Sequence, residues 1–160
     1  MSFLSRLRRL ADPSGPPAGD GRAGGDHKAA LGRAGEDAAA TLLHARGMRI
    51  LARNWRSGPL KLDLVCREGD TLVFVEVKTR GPGSLGSALD AVGPRKRQTL
   101  IRAARAWLAA HDQWHLPCRF DLVCIEPGPT GPHMEHIRHA FDLSGSGPSV
   151  DSGHASWQPW

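Results

Sequence analysis

Apolar and polar positions alternate in several short blocks through the middle of the chain, and two longer blocks repeat with a helical period instead. Residues 32–46 carry Ala39, Leu42, Leu43 and Arg46 near one helical stripe and stop at Gly47, which predicts a first helix. Residues 48–54 predict a strand. Residues 60–67 and 72–79 both alternate, and Gly69-Asp70 between them matches the two-residue loop of a type II′ hairpin, where glycine supplies the positive φ. Pro94 opens a second helix to about residue 111, with Leu100, Ile101, Ala104, Trp107 and Leu108 as its apolar stripe. Residues 119–126 predict a further strand and residues 134–141 a weaker last one. Helix, three strands, helix and one or two strands imply an α/β sandwich around a mixed sheet.

Composition changes this picture mainly at the ends. The 19 Gly and 12 Pro gather there, and residues 11–26 and the stretch after Ser144 cannot bury enough apolar area to offset their ordering entropy. Residues 1–26 and 144–160 are therefore expected to be disordered tails around a folded unit at 27–143. No apolar run is long enough for a membrane-spanning helix. The basic first ten residues lack the apolar stretch of a signal peptide, so export is not expected. Three cysteines, an odd number set in apolar stretches, fit a reduced core. These features together imply a cytoplasmic protein. A net charge of +5 permits an anionic partner such as nucleic acid.

The hairpin carries the sharpest chemistry. With Gly69-Asp70 as the turn, Glu68 faces Thr71, and continuing outward puts Asp63 opposite Glu76, on the same face as Lys78. Two carboxylates as cross-strand neighbours repel unless a cation sits between them, and a divalent metal with oxygen ligands does that well. A lysine beside it would polarise a water or stabilise charge developing on a phosphate. The bland alternative is a solvated hairpin face whose charges happen to alternate. Both acids, however, stand in strongly apolar surroundings, Leu62-Asp63-Leu64-Val65 and Leu72-Val73-Phe74-Val75-Glu76-Val77, where an unpaired acid is costly.

Asp63 with Glu76-Val77-Lys78 matches the PD-(D/E)xK signature of restriction-endonuclease-like nucleases. The wider ordered set is Gly32-Arg33-Ala34-Gly35-Glu36, Arg53-Asn54-Trp55-Arg56, Leu62-Asp63-Leu64, Val73-Phe74-Val75-Glu76-Val77-Lys78-Thr79-Arg80, Lys96 and Arg119-Phe120-Asp121-Leu122-Val123. It resembles the bacterial YraN family of candidate endonucleases, distantly similar to archaeal Holliday-junction resolvases. The resemblance implies a restriction-endonuclease-like mixed β-sheet of about five strands flanked by helices. It also implies a phosphodiesterase centre using Mg2+ or Mn2+, with Asp63, Glu76, Lys78 and Glu36 as catalytic residues and Asp63, Glu76 and Glu36 as metal ligands. From the residues alone, Glu36 is equally an exposed helix position. The expected activity is hydrolysis of DNA rather than RNA, including branched or structured DNA. The alternatives are a nucleic-acid-binding module of the same fold with weakened hydrolysis, and a scaffold whose acids bind a metal structurally. A homodimer is compatible with either. One residue departs from the family: Lys61 stands where a glutamate is usual, and the hairpin register puts it opposite Lys78.

Other basic residues suggest how a nucleic acid would be held. Arg95, Arg102 and Arg105 fall on one side of the second helix, extended by Lys96 and Arg97, either as a solvated face or as a phosphate-tracking surface. Arg53, Arg56 and Arg80 fall at strand ends near the acids and would position a backbone. Trp55 would stack on a base or pack in a loop. Residues 81–86 are Gly-rich but match no phosphate-loop pattern, and read as a flexible loop. His133, His136 and His139 would be split between strand faces, which argues against zinc. Asp121, flanked by apolar residues, reads as a structural hydrogen-bonding group.

Overall fold

The structure, a computed structural model, describes residues 21–81 and 88–142. Both expected tails lie largely outside the described residues, as does most of the Gly-rich 81–86 loop. In chain order come α1 (Gly21–Ala45), β1 (Arg49–Ser57), β2 (Leu60–Glu68), β3 (Thr71–Thr79), a 3-10 turn (Ala88–Ala91), α2 (Pro94–His111), β4 (Cys118–Glu126) and β5 (His133–Phe141). The five strands form one sheet in the order β1-β2-β3-β4-β5. Only β3 and β4 run parallel; the other neighbours are antiparallel. A parallel pair needs a long crossover, and α2 supplies it. The expected α/β fold with a mixed sheet of five strands and flanking helices is present.

Helix α1 begins at Gly21, eleven residues before the helix read from periodicity and inside the segment read as tail. In its early turns Asp26, Lys28 and Ala29 are exposed, so packing leaves no apolar stripe there to read. The hairpin turn is as expected: Glu68 faces Thr71, and Gly69 has φ 57°.

Each helix covers one face. Ala38, Ala39, Ala40 and Leu43 of α1 pack with Leu64, Cys66, Val73, Val75, Val123 and Ile125. On the other face, Leu100, Ile101, Ala104, Trp107 and Leu108 of α2 pack with Leu62, Val65, Leu72, Phe74, Phe120 and Leu122. Phe120 lies between Phe74 and Phe141, at ring-centroid distances of 5.6 and 4.6 Å. All three cysteines are free and buried, and burial pushes the thiols of Cys66 and Cys118 up to about 12. Such thiols are poor nucleophiles. No helix among the described residues is long and apolar enough to cross a membrane.

Strand β2 contains one break that matters. Leu62 and Leu64 are two residues apart and should share a face, yet they belong to opposite cores. The slip occurs around Asp63. Its neighbour on β1, Asn54, has φ 51°, a left-handed conformation that asparagine tolerates.

Candidate functional site

The sheet forks at this break. Strands β2 and β3 stay paired from Glu68↔Thr71 to Leu64↔Val75, where the ladder ends. Beyond that point β2 remains with β1 as far as Ser57↔Leu60, and β3 remains with β4 as far as Thr79↔Ile125. Asp63 causes the separation locally. Its Oδ2 accepts the Val77 N–H at 3.0 Å, replacing a ladder carbonyl with a side chain.

Three carboxylates and three ammonium groups gather in the fork. Glu76 is 4% exposed, and its Oε1 meets Lys78 Nζ at 2.9 Å and Lys96 Nζ at 3.1 Å. Its Oε2 is buried and has no hydrogen-bond partner. Burial first, then repulsion from Asp63, raises the Glu76 carboxyl above its usual range, while Lys78 and Lys96 pull it back. Glu36 comes from α1, which approaches β3 closely because position 35 is glycine. A Cβ there would collide with Thr79 Oγ1. Lys61 Nζ lies 3.1 Å from Glu36 Oε1 and 2.9 Å from Asp63 Oδ1. Burial opposes its charge, but hydrogen bonds and attraction from Asp63 and Glu36 outweigh that and raise its pKa. Asn54 Nδ2 donates to the remaining oxygen of Glu36.

The expected juxtaposition of Lys61 and Lys78 is corrected by the fork. It required the hairpin ladder to continue past Leu64↔Val75, whereas Lys61 pairs instead with Arg56 of β1 and turns its ammonium to Glu36 and Asp63. The same ending of the ladder leaves Asp63 and Glu76 beside the opening rather than as a paired rung. Asn54 was missed as a site residue, although a poor strand former inside a strand is a legible signal. Lys96, expected to extend a solvated or phosphate-tracking helix face, pairs with Glu76.

The basic candidates differ in their surroundings. Arg56, Arg95, Arg102 and Arg105 are exposed. Arg53 pairs with Asp37 at 2.9 Å on the surface, and Arg80 lies 3.9 Å from Glu126. Arg97 donates from Nε to the Val92 carbonyl at 2.8 Å and sits over the Phe141 ring. Trp55 packs edge-on against Trp107 at 5.4 Å, so its ring belongs to the core of the α2 face.

A second polar cluster lies on the sheet beyond α1. Asp121 is 1% exposed and accepts from Arg119 Nε at 3.0 Å, His136 Nε2 at 2.8 Å and the His139 N–H at 3.1 Å. Glu68 accepts from Arg119 at 2.6 Å and from both terminal nitrogens of Arg138 at 2.8 and 2.7 Å. The hydrogen bonds from Arg138, reinforced by Arg119 against burial, lower the Glu68 carboxyl to about 2. These contacts join β2, β4 and β5, and give Asp121 the structural role read from its apolar flanks.

Residues 35–125 match the model described as "Uncharacterised protein family UPF0102". A UPF0102 protein of Nitratidesulfovibrio vulgaris is 54% identical over 135 residues, covering 84% of this chain and 98% of the relative. One from Lawsonia intracellularis is 41% identical over 130 residues, covering 81% and 96% of the two chains. One from Frankia casuarinae is 50% identical over 115 residues, covering 71% and 98%. The matched stretch runs over more than half of the chain and takes in Glu36, Asn54, Lys61, Asp63, Glu76, Lys78 and Lys96, and the chain therefore belongs to the UPF0102 family.

Proposed function

We propose that this protein is a divalent-metal-dependent nuclease of the PD-(D/E)xK kind that hydrolyses phosphodiester bonds in DNA, branched or structured DNA included. The observation that carries the reading is Glu76: a carboxylate 4% exposed, with an unpartnered Oε2, set beside Asp63 at the opening of the sheet. A buried carboxylate oxygen without a donor is costly, and a cation relieves that cost. Among the described residues no three Asp, Glu, His or Cys side chains are already gathered as a cage. The donor set nevertheless fits a hard ion, because Glu76 offers a free carboxylate oxygen, with the Asp63 carboxylate beside it, of the type that Mg2+ and Mn2+ prefer. Such an ion, when bound, supplies Lewis-acid polarisation of the phosphate and the attacking water.

The chain's own groups do the rest. Lys78, 2.9 Å from Glu76 Oε1, orients that carboxylate and stabilises charge growing on the phosphate. Lys96 adds a second positive charge on the α2 side. The exposed Arg95 and Arg102 lie seven residues apart on α2, about 10 Å along the helix axis, and would hold phosphates away from the cut. The test is cleavage of linear duplex, single-stranded and four-way-junction DNA with Mg2+ or Mn2+. Wild type should cut at least one of them, and Glu76→Ala and Lys78→Ala should abolish cutting. Equal cleavage by Glu76→Ala would remove the fork from the chemistry. A second reading is favoured by Lys61, whose ammonium already neutralises Glu36 and Asp63: a DNA-binding module with weakened hydrolysis, which predicts metal-independent binding of the same DNAs without cleavage.

A further inference from the structure

Counting donors oxygen by oxygen divides the fork into two unequal halves. Glu36 Oε1 and Asp63 Oδ1 share the Lys61 ammonium, Glu36 Oε2 is held by Asn54, and Asp63 Oδ2 is held by the Val77 N–H. All four oxygens of that pair are engaged. Glu76 has two lysines on Oε1 and nothing on Oε2, which is buried. We propose that Lys61 is a tethered cation filling the Glu36–Asp63 half of the centre, so that the wild-type chain takes a single divalent ion, anchored at Glu76. This rests on the reading of the fork as a metal site.

The Lys61 ammonium and a divalent ion compete for the same two oxygens, Glu36 Oε1 and Asp63 Oδ1. An ammonium within about 4 Å of a dication repels it in either half, even at an effective dielectric constant near 20, but Lys78 and Lys96 sit on Glu76 Oε1 and leave Oε2 open. The tether keeps the ammonium at high local concentration, so an ion entering that half must displace it. The Lys61 side chain is 30% exposed on a flexible stem and has room to swing outward. Lys61 is thus a positioning residue that sets how many ions the acids accept.

The probe is Mn2+, counted on the full-length protein by isothermal titration and by the electron paramagnetic resonance of free and bound ion. Wild type should bind one ion. Lys61→Gln keeps hydrogen-bond donors but removes the charge, and should bind a second ion at least about tenfold more tightly than wild type binds any second ion. Lys61→Arg restores a cation and should return the count to one. Two ions in wild type, or an unchanged count and affinity in Lys61→Gln, overturns the proposal. Should Lys61→Gln fail to fold, Lys61→Met, which also removes the charge, takes its place with the same expected second ion. Glu76→Gln separates the metal site from the role of Lys61. If wild type binds no ion, or Glu76→Gln retains it, the metal reading of the fork fails as well. If Glu76→Gln loses the ion while Lys61→Gln gains none, only the role of Lys61 falls.

Discussion

Replacing Asp121 by alanine should be among the most damaging single changes in the domain. Asp121 is 1% exposed and receives three hydrogen bonds, from Arg119, His136 and the His139 backbone. Removing it leaves the Arg119 guanidinium, 5% exposed, with Glu68 as its remaining carboxylate partner. It also removes the Asp121 acceptor of the His139 N–H, at a residue whose φ of 50° is held in a strand irregularity. Breaking a buried ion pair from one side costs about 3–5 kcal/mol, because the surviving charge stays buried. Against a typical domain stability of about 5–15 kcal/mol, that loss is large. It corresponds to a fall in Tm of roughly 15 °C. Urea denaturation followed by circular dichroism measures it. The triple variant Arg119→Met, Asp121→Leu, His136→Phe removes the three buried ionic side chains together, with Glu68 keeping Arg138, and should recover much of the loss, since apolar replacement of a buried ionic set is often close to neutral. A loss below about 1 kcal/mol for Asp121→Ala, or a triple variant as unstable as the single, would refute the assignment of this cluster as a desolvated ionic network.

Acid should expose the same cluster through Glu68. Its folded pKa of about 2 lies below the usual carboxylate range, so its contribution is complete above about pH 5 and is lost as pH falls from about 4.5 towards 2; Glu68→Gln should flatten the decline of Tm over that window. Gly35→Ala should destabilise the fold by about 1–3 kcal/mol through overpacking, despite the better helix propensity of alanine. Adding Thr79→Ala to remove the obstructing hydroxyl should restore most of that loss in urea denaturation, and a milder Gly35→Ala than Thr79→Ala would contradict the close approach. Combined Arg95→Ala and Arg102→Ala should lower the slope of log affinity against log salt by about 2 for duplex DNA in fluorescence anisotropy; an unchanged slope would assign these exposed residues to solubility.

The hydrophobic pattern by itself determined the elements and their order. The stripe of α2, the alternation of β2 and β3 and the turn at Gly69-Asp70 are local properties, set within a few residues by side-chain period and backbone preference. Local too was the recognition that Asp63, Glu76 and Lys78 lie in apolar strands and need partners. Tertiary structure decided which partners they have. Periodicity extends a hairpin indefinitely, and it therefore placed Lys61 across from Lys78. Only the competition of β1 for β2 and β4 for β3, together with the Asp63 carboxylate taking the Val77 N–H, ends the ladder at Leu64↔Val75 and opens the fork. The approach of Glu36 likewise depends on α1 crossing β3 at Gly35, and the two side chains that donate to Glu36, Asn54 and Lys61, are eighteen and twenty-five residues from it in the chain. A strand pattern records which face a residue prefers; where two strands part company is settled by the neighbours that each finds on its other side.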